Sequence, residues 1–255
     1  MSNAKQKDSD IWAWRDVCPF SHALEVGNQV FISGQPPLDA SGKVVSPNDI
    51  AGQTRCVFEN MKRVLESRGL SLNNLIRLNT YYVFDGEDDK ATKYWEDMTR
   101  VRLEYFPDPG PAATAVRIKG MPYVGQLIQI EGIAVKGSDF QQRVRVMPEG
   151  SWDWSIAVPL SQGWRCDNRI YVGGQISADK KGAAVHADDV VSQTNAIYDY
   201  IDTIVSDAGG CPDDLAHLKI CFKHDSSGSD ENFYLKNILE VTKNRYGRNC
   251  PVISC

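Results

Sequence analysis

A shift of 140 positions lays this 255-residue chain on itself without a gap. Trp12 and Trp14 fall on Trp152 and Trp154, and PFSHALEVGNQVFISGQ (19–35) falls on PLSQGWRCDNRIYVGGQ (159–175). Asp49, Gln53 and Thr54 fall on Asp189, Gln193 and Thr194, and Gly69, Leu75 and Leu78 on Gly209, Leu215 and Leu218. Tyr94 meets Tyr234 and Pro111 meets Pro251. Tryptophan is rare, the register never slips, and apolar positions coincide as well as identities. A repeat of this length reads as two copies of one small unit. The expected units are 1–139 and 140–255, joined by the polar stretch 136–151, which reads as a linker plus an entering strand.

The pattern inside a copy defines its elements. Val30–Ser33 and Ile170–Gly173 are short apolar runs that stop at Gly, as strands entering a turn do. Ile50, Thr54, Val57, Met61 and Val64 step by four and three and so share one helix face, repeated by Val190, Thr194, Ile197, Ile201 and Ile204. Asp49 and Asp189 stand where an N-cap carboxylate accepts orphan amide hydrogens. Gly69 and Gly209 stand where the chain must leave the helix. Leu75–Phe84 and Leu215–Phe222 read as strands, and second helices run from about Lys90 to Phe106 and from about Glu231 to Tyr246. Ala113–Ile118 and Leu127–Val135 close the first copy as two more strands.

Composition narrows the function. A net charge of −5 gives no broad basic surface for neutralising phosphates, so no nucleic-acid partner is expected. No apolar run is long enough for a bilayer, so no membrane partner is expected, and the polar MSNAKQKDSD start lacks a signal-peptide core. The seven Cys form no C-x-x-C pair and are odd in number, which disfavours a disulfide framework or a zinc site and fits a cytoplasmic location. The four His are scattered, without metal-ligand spacing, and most of them read as surface or cap residues. No Ser/His/Asp grouping at a diagnostic spacing and no phosphate-cradling Gly-rich loop is present.

The order of strand, SGQ turn, helix, strand, helix, then PAATAV (111–116) and IQIEGIAV (128–135), resembles the RidA/YjgF family of enamine/imine deaminases. The resemblance covers nearly all of the first copy and most of the second. It implies an α+β fold of two tandem RidA-like (chorismate-mutase-like) units, each a mixed sheet with two helices on one face. It also implies a homo-oligomer, expected as a trimer of chains with clefts between units, and a small-molecule substrate. The implied chemistry is hydrolysis of a reactive enamine or imine to a ketone and ammonia, with no metal and no cofactor. In such a cleft an Arg pairs with a substrate carboxylate, a Glu positions water, and the SGQ backbone and a ring from the N-terminal segment complete the wall.

Carried over residue by residue, the pattern gives Glu131 as the catalytic carboxylate and Phe20, Ser33, Gly34, Gln35, Ala113, Thr114 and Arg117 as the substrate-binding set. By strand alternation Gln129, Glu131 and Ile133 share one face and Ile128, Ile130, Gly132 and Ala134 the other, which reads as the core face. Glu131 is then either a water-holding cleft carboxylate or a structural group capping backbone at a subunit contact. Phe20 stands where many relatives have Tyr. The family Arg is missing: Ala113 takes its place in Pro111-Ala112-Ala113-Thr114, and Ile253 in the second copy. Arg117 shares a face with Ala113 and reads either as a displaced cation or as a solvated edge residue. These departures favour a substrate bulkier than a simple 2-imino acid. Two other readings stay open: a non-catalytic binding or regulatory protein, and a chorismatase-like lyase. The counterpart of Glu131 would fall at position 271, past Cys255, so the second copy is expected to lack its last strand.

Overall fold

In a computed structural model the described residues are 21–137, 143–153, 159–223 and 229–255. Trp12, Trp14, Trp154 and Phe20 lie outside them, as do residues 138–142 of the expected linker.

Along the first half the elements are β1 (Ala23–Val26), β2 (Gln29–Gln35), α1 (Ile50–Glu66), β3 (Leu75–Val83), α2 (Ala91–Tyr105), β4 (Ala112–Ile118) and β5 (Ile128–Val135). The second half adds β6 (Arg143–Val146), β7 (Gly163–Cys166), β8 (Arg169–Val172), α3 (Val190–Asp207), β9 (His217–Lys219), α4 (Ser229–Tyr246) and β10 (Val252–Ser254). The 140-residue shift lays β1 on β7, the start of α1 on the start of α3, and the start of β4 on β10. Its local details match as well. The Asp49 side chain accepts from the Gly52 amide at 3.0 Å, and Asp189 from the Ser192 amide at 3.0 Å. At the exits the Leu70 amide reaches the Leu65 carbonyl and the Gly210 amide the Val205 carbonyl, across Gly69 (φ 71°) and Gly209 (φ 80°). These are the left-handed C-terminal turns that glycine favours.

Five strands of the first half form one mixed sheet in the order β1-β2-β5-β3-β4, with β4 parallel to β3 and the other pairs antiparallel. Both helices cover one face, where Val57, Phe58, Met61, Met98 and Val101 pack on Val30, Ile32, Leu78, Ile128 and Ile130. Arg55 on α1 pairs with Glu104 on α2 at 2.8 and 2.6 Å.

The second half docks on the face that the helices leave open. Trp164 and Cys166 bury against Ile76, Ala112 and Val135, with Ile133 and Tyr171 beside them. Trp164 Nε1 and Ser161 Oγ both donate to the Gly110 carbonyl, at 3.0 and 2.7 Å. A β-carbon on Gly110 would lie 1.7 Å from the Pro159 carbonyl oxygen, so the contact requires glycine there. Asn28 donates to Asp167 at 2.8 Å and Gln29 to the Tyr171 hydroxyl.

Three sequence expectations change. Ser33-Gly34 is no turn: β2 continues to Gln35, and its pairing with β5 slips between Ile32 and Gln35, a bulge. The expected strand 215–222 shortens to His217–Lys219, because only β10 pairs with it among the described residues. His22 is buried rather than a surface residue, its carbonyl accepting from the Ser33 amide at 2.9 Å.

Candidate active site

Alternation along β5 turns Ile128, Ile130 and Ala134 into the helix-covered core and puts Glu131 on the opposite, partly covered face. Neighbouring β3 alternates in phase: Leu78 and Tyr82 face the helices, while Arg77, Asn79 and Tyr81 share the Glu131 face. Asn79 pairs directly across from Glu131, and its Nδ2 donates to Glu131 Oε1 at 2.9 Å. The Tyr81 hydroxyl donates to the same oxygen at 3.3 Å. The carboxylate is half-buried and held from one side, which leaves its second oxygen outside these two bonds.

The Ser33-Gly34 bulge lies across β5 from this carboxylate. Ser33 Oγ donates to the His22 carbonyl at 3.2 Å, and fully buried Gln35 donates to Ser33 O at 2.9 Å and Ser33 Oγ at 3.1 Å. Gln35 therefore braces the bulge from inside the fold. A β-carbon on Gly34 would sit 2.0 Å from Gln129 Nε2, so any side chain there displaces the Gln129 amide from the Glu131 face.

On the other flank, Thr114 lies in register with Asn79. The second half reaches it here: the Gly174 amide donates to the Ala113 carbonyl at 3.0 Å, and a β-carbon on Gly174 would stand 2.9 Å from Thr114 Oγ1. Ala113 itself packs toward the helix-covered core. Arg117 does not join the group. It pairs with Tyr82 in register, donates from Nε to the Phe84 carbonyl at 2.9 Å and lies over the Phe84 ring at 5.1 Å. It holds the loop after β3 on the helix side of the sheet, remote in orientation from Glu131.

Two cations that sequence reading missed face the carboxylate. Arg77 is largely buried; burial pushes its guanidinium below the ordinary value, against the opposing pull of Glu131, Tyr81 and Tyr171. Lys219, on β9, donates from Nζ to the Tyr81 hydroxyl and sits 4.8 Å from that ring's centroid. The Tyr81 bond raises the Lys219 ammonium, and the Glu131 charge adds to the rise. The signal for Arg77, Asn79 and Tyr81 was the alternation of LIRLNTYYV itself; Lys219 is the position that the 140-residue shift lays on Asn79. Glu131 is partly exposed on its face of the sheet. Two concavities lie elsewhere, one of about 560 Å³ beside Asp199, Asp202 and Arg245, the other of about 200 Å³ beside Phe106, Gly110 and Arg143.

A mixed five-stranded α+β unit with two helices on one face, and Glu131 on the other face beside residues of the second half, is what the fold defines. The family described as Endoribonuclease L-PSP matches residues 13–136. A RutC family protein of Pyrococcus horikoshii is 39% identical over 122 residues, 48% of this chain and 90% of that protein. The 3-aminoacrylate deaminase RutC of Acinetobacter baylyi is 34% identical, over 46% of this chain and 87% of that protein. Among solved structures, RidA from an Antarctic Psychrobacter species is 29% identical, covers 47% of this chain and 90% of that one, and gives a TM-score of 0.41. The chain belongs to this RutC/RidA/YjgF family. At the level of the family, the likeness supports enamine/imine deaminase chemistry.

Proposed function

We propose that this protein hydrolyses a reactive enamine or imine to a carbonyl compound and ammonia, in the cleft where Glu131 faces the second half. The observation that carries this reading is the Glu131 carboxylate, anchored by Asn79 and Tyr81 on the face away from the core. An anionic group is placed there at a desolvation cost, and its anchors orient one oxygen and leave the other for water. The chemistry balances without an oxidant. An enamine is first protonated on carbon by solvent, giving its iminium. Water then adds to the imine carbon as Glu131 takes one of its protons, forming a C–O bond. Return of that proton to nitrogen makes the amine a leaving group; the C–N bond then breaks as the hydroxyl proton passes to solvent, releasing ammonia and leaving C=O.

Ser33-Gly34 and Thr114 flank this carboxylate as cleft walls; Phe20 is assigned beside them on the resemblance alone. Ala113 brings no cation, which fits a substrate bulkier than a simple 2-imino acid. The chain is assigned two tandem units, 1–139 and 140–255. A homo-oligomer, as a trimer of chains, would cover Leu24, Val26 and Phe31, which are 54, 55 and 42% exposed on the open face of β1 and β2. Among the described residues, no helix is long and apolar enough to cross a membrane.

A second reading, a ligand-binding protein without turnover, is favoured by the absence of Arg at both Ala113 and Ile253. The test is ammonia release from a panel of freshly generated enamines and imines, graded by bulk. Release from at least one, above the rate in buffer, is expected. No release from any member leaves the binding reading in its place.

A further inference from the structure

The geometry points to Lys219 as the group that receives the anionic end of the ligand in the Glu131 cleft, so that the second half supplies a binding residue to the first half's site. This rests on the reading of that cleft as a ligand site. Glu131 and Lys219 both bond the Tyr81 hydroxyl, and Arg77 shares their sheet face on β3, near enough for the Glu131 charge to act on it. Glu131 is the carboxylate that both cations feel. One negative and two positive charges leave the group one positive charge in excess, which a single ligand carboxylate balances.

The two cations are not equivalent. Arg77 is largely buried beneath the cleft and acts as fixed background charge. The Lys219 residue is exposed, on the short strand β9 at the cleft wall. Its ammonium has three donor hydrogens, and the Tyr81 hydroxyl takes one. The others are directed by the same anchor that fixes the nitrogen over the Tyr81 ring. Tyr81 in turn donates to Glu131, so the ligand-facing cation and the water-facing carboxylate are held by one phenol. The anion is thus gripped by a point charge from the second half rather than by a planar fork.

The test uses 2-oxoadipate, a stable keto diacid of the product class, and its neutral dimethyl ester, titrated calorimetrically into the full chain at pH 7.5. Wild type is expected to bind the diacid in preference to the ester. Lys219→Met is expected to weaken the diacid by about ten- to a hundredfold, the scale of a lost hydrogen bond to a charged group, and to leave the ester unchanged. Lys219→Arg should keep most of the preference. Equal binding of acid and ester by wild type overturns the assignment, as does an intact preference in Lys219→Met. Melting curves matching wild type confirm that the variants fold. The outcome separates the two inferences: a Lys219-dependent preference without ammonia release keeps the anion site and removes the deaminase. Ammonia release with an unchanged diacid preference in Lys219→Met does the reverse.

Discussion

The two halves start from corresponding elements and finish differently. In the first, β5 lies between β2 and β3 and unites five strands into one sheet. In the second, β8 ends a three-stranded sheet and β9 pairs only with β10, and among the described residues no strand stands between β8 and β9. The strand that makes the difference is also the strand that bears Glu131. One segment therefore does two jobs: it satisfies the facing edges of β2 and β3, and it sets the carboxylate between Asn79 and the Ser33-Gly34 bulge. Among the described residues the second half has the matching helices and caps but two separate sheets in place of one.

Matched substitutions at shifted positions test this difference. The largest contrast is expected at Leu78 and Leu218, both buried on corresponding strands. Leu78→Ala leaves a hole in a core closed on all sides and should cost about 2–5 kcal/mol in denaturant unfolding. Leu218→Ala sits where β9 has one strand neighbour and the surroundings can collapse, so about 2 kcal/mol or less is expected. Equal losses would show that the second half is as tightly closed as the first. Hydrogen exchange sharpens the same point: β3 amides should exchange only through global opening, and β9 amides through cheaper local opening. Smaller and equal effects are expected at the two N-caps. Asp49→Ala and Asp189→Ala should each cost about 1 kcal/mol, since both carboxylates make the same bond.

The smallest effect concerns pH. The Tyr81 bond raises Lys219 above its ordinary value of about 10.4. A raised ammonium contributes stability in full below the ordinary value, and loses it as pH climbs through the folded one. The diacid preference and the docking of β9 on Tyr81 should therefore be flat from pH 7 to about 10 and decline only above that. A decline centred near neutrality would assign the preference to another group.

How far these features were legible in the sequence depends on the distance over which each is decided. The helices are local: period, N-cap Asp and exit Gly place α1 and α3 at their first residues, Ile50 and Val190. The facing of β5 was legible because Ile128, Ile130 and Ala134 are uniformly apolar. The same alternation in β3 would have shown Arg77, Asn79 and Tyr81 beside Glu131. Ser33-Gly34 looked like a turn because Gly ends an apolar run, yet pairing with β5, remote in sequence, carries the strand on through a bulge. Arg117 was placed by parity on the face of Ala113, and the structure agrees; that face is the helix side, so it does not meet Glu131. Lys219 was beyond reach, since its role depends on how one half docks on the other.

The rate at which Glu131→Gln releases ammonia tests the role of this carboxylate most directly. Gln fills the same volume and still accepts a bond from Asn79, but cannot take a proton from water. With the best substrate of the panel at saturation, the variant is expected to retain the melting temperature of wild type and to lose about 10²–10⁴-fold in kcat, the usual contribution of a positioned general base. A variant that releases ammonia at the wild-type rate would contradict the assignment of Glu131 and, with it, the claim that the central strand of the first half carries the chemistry.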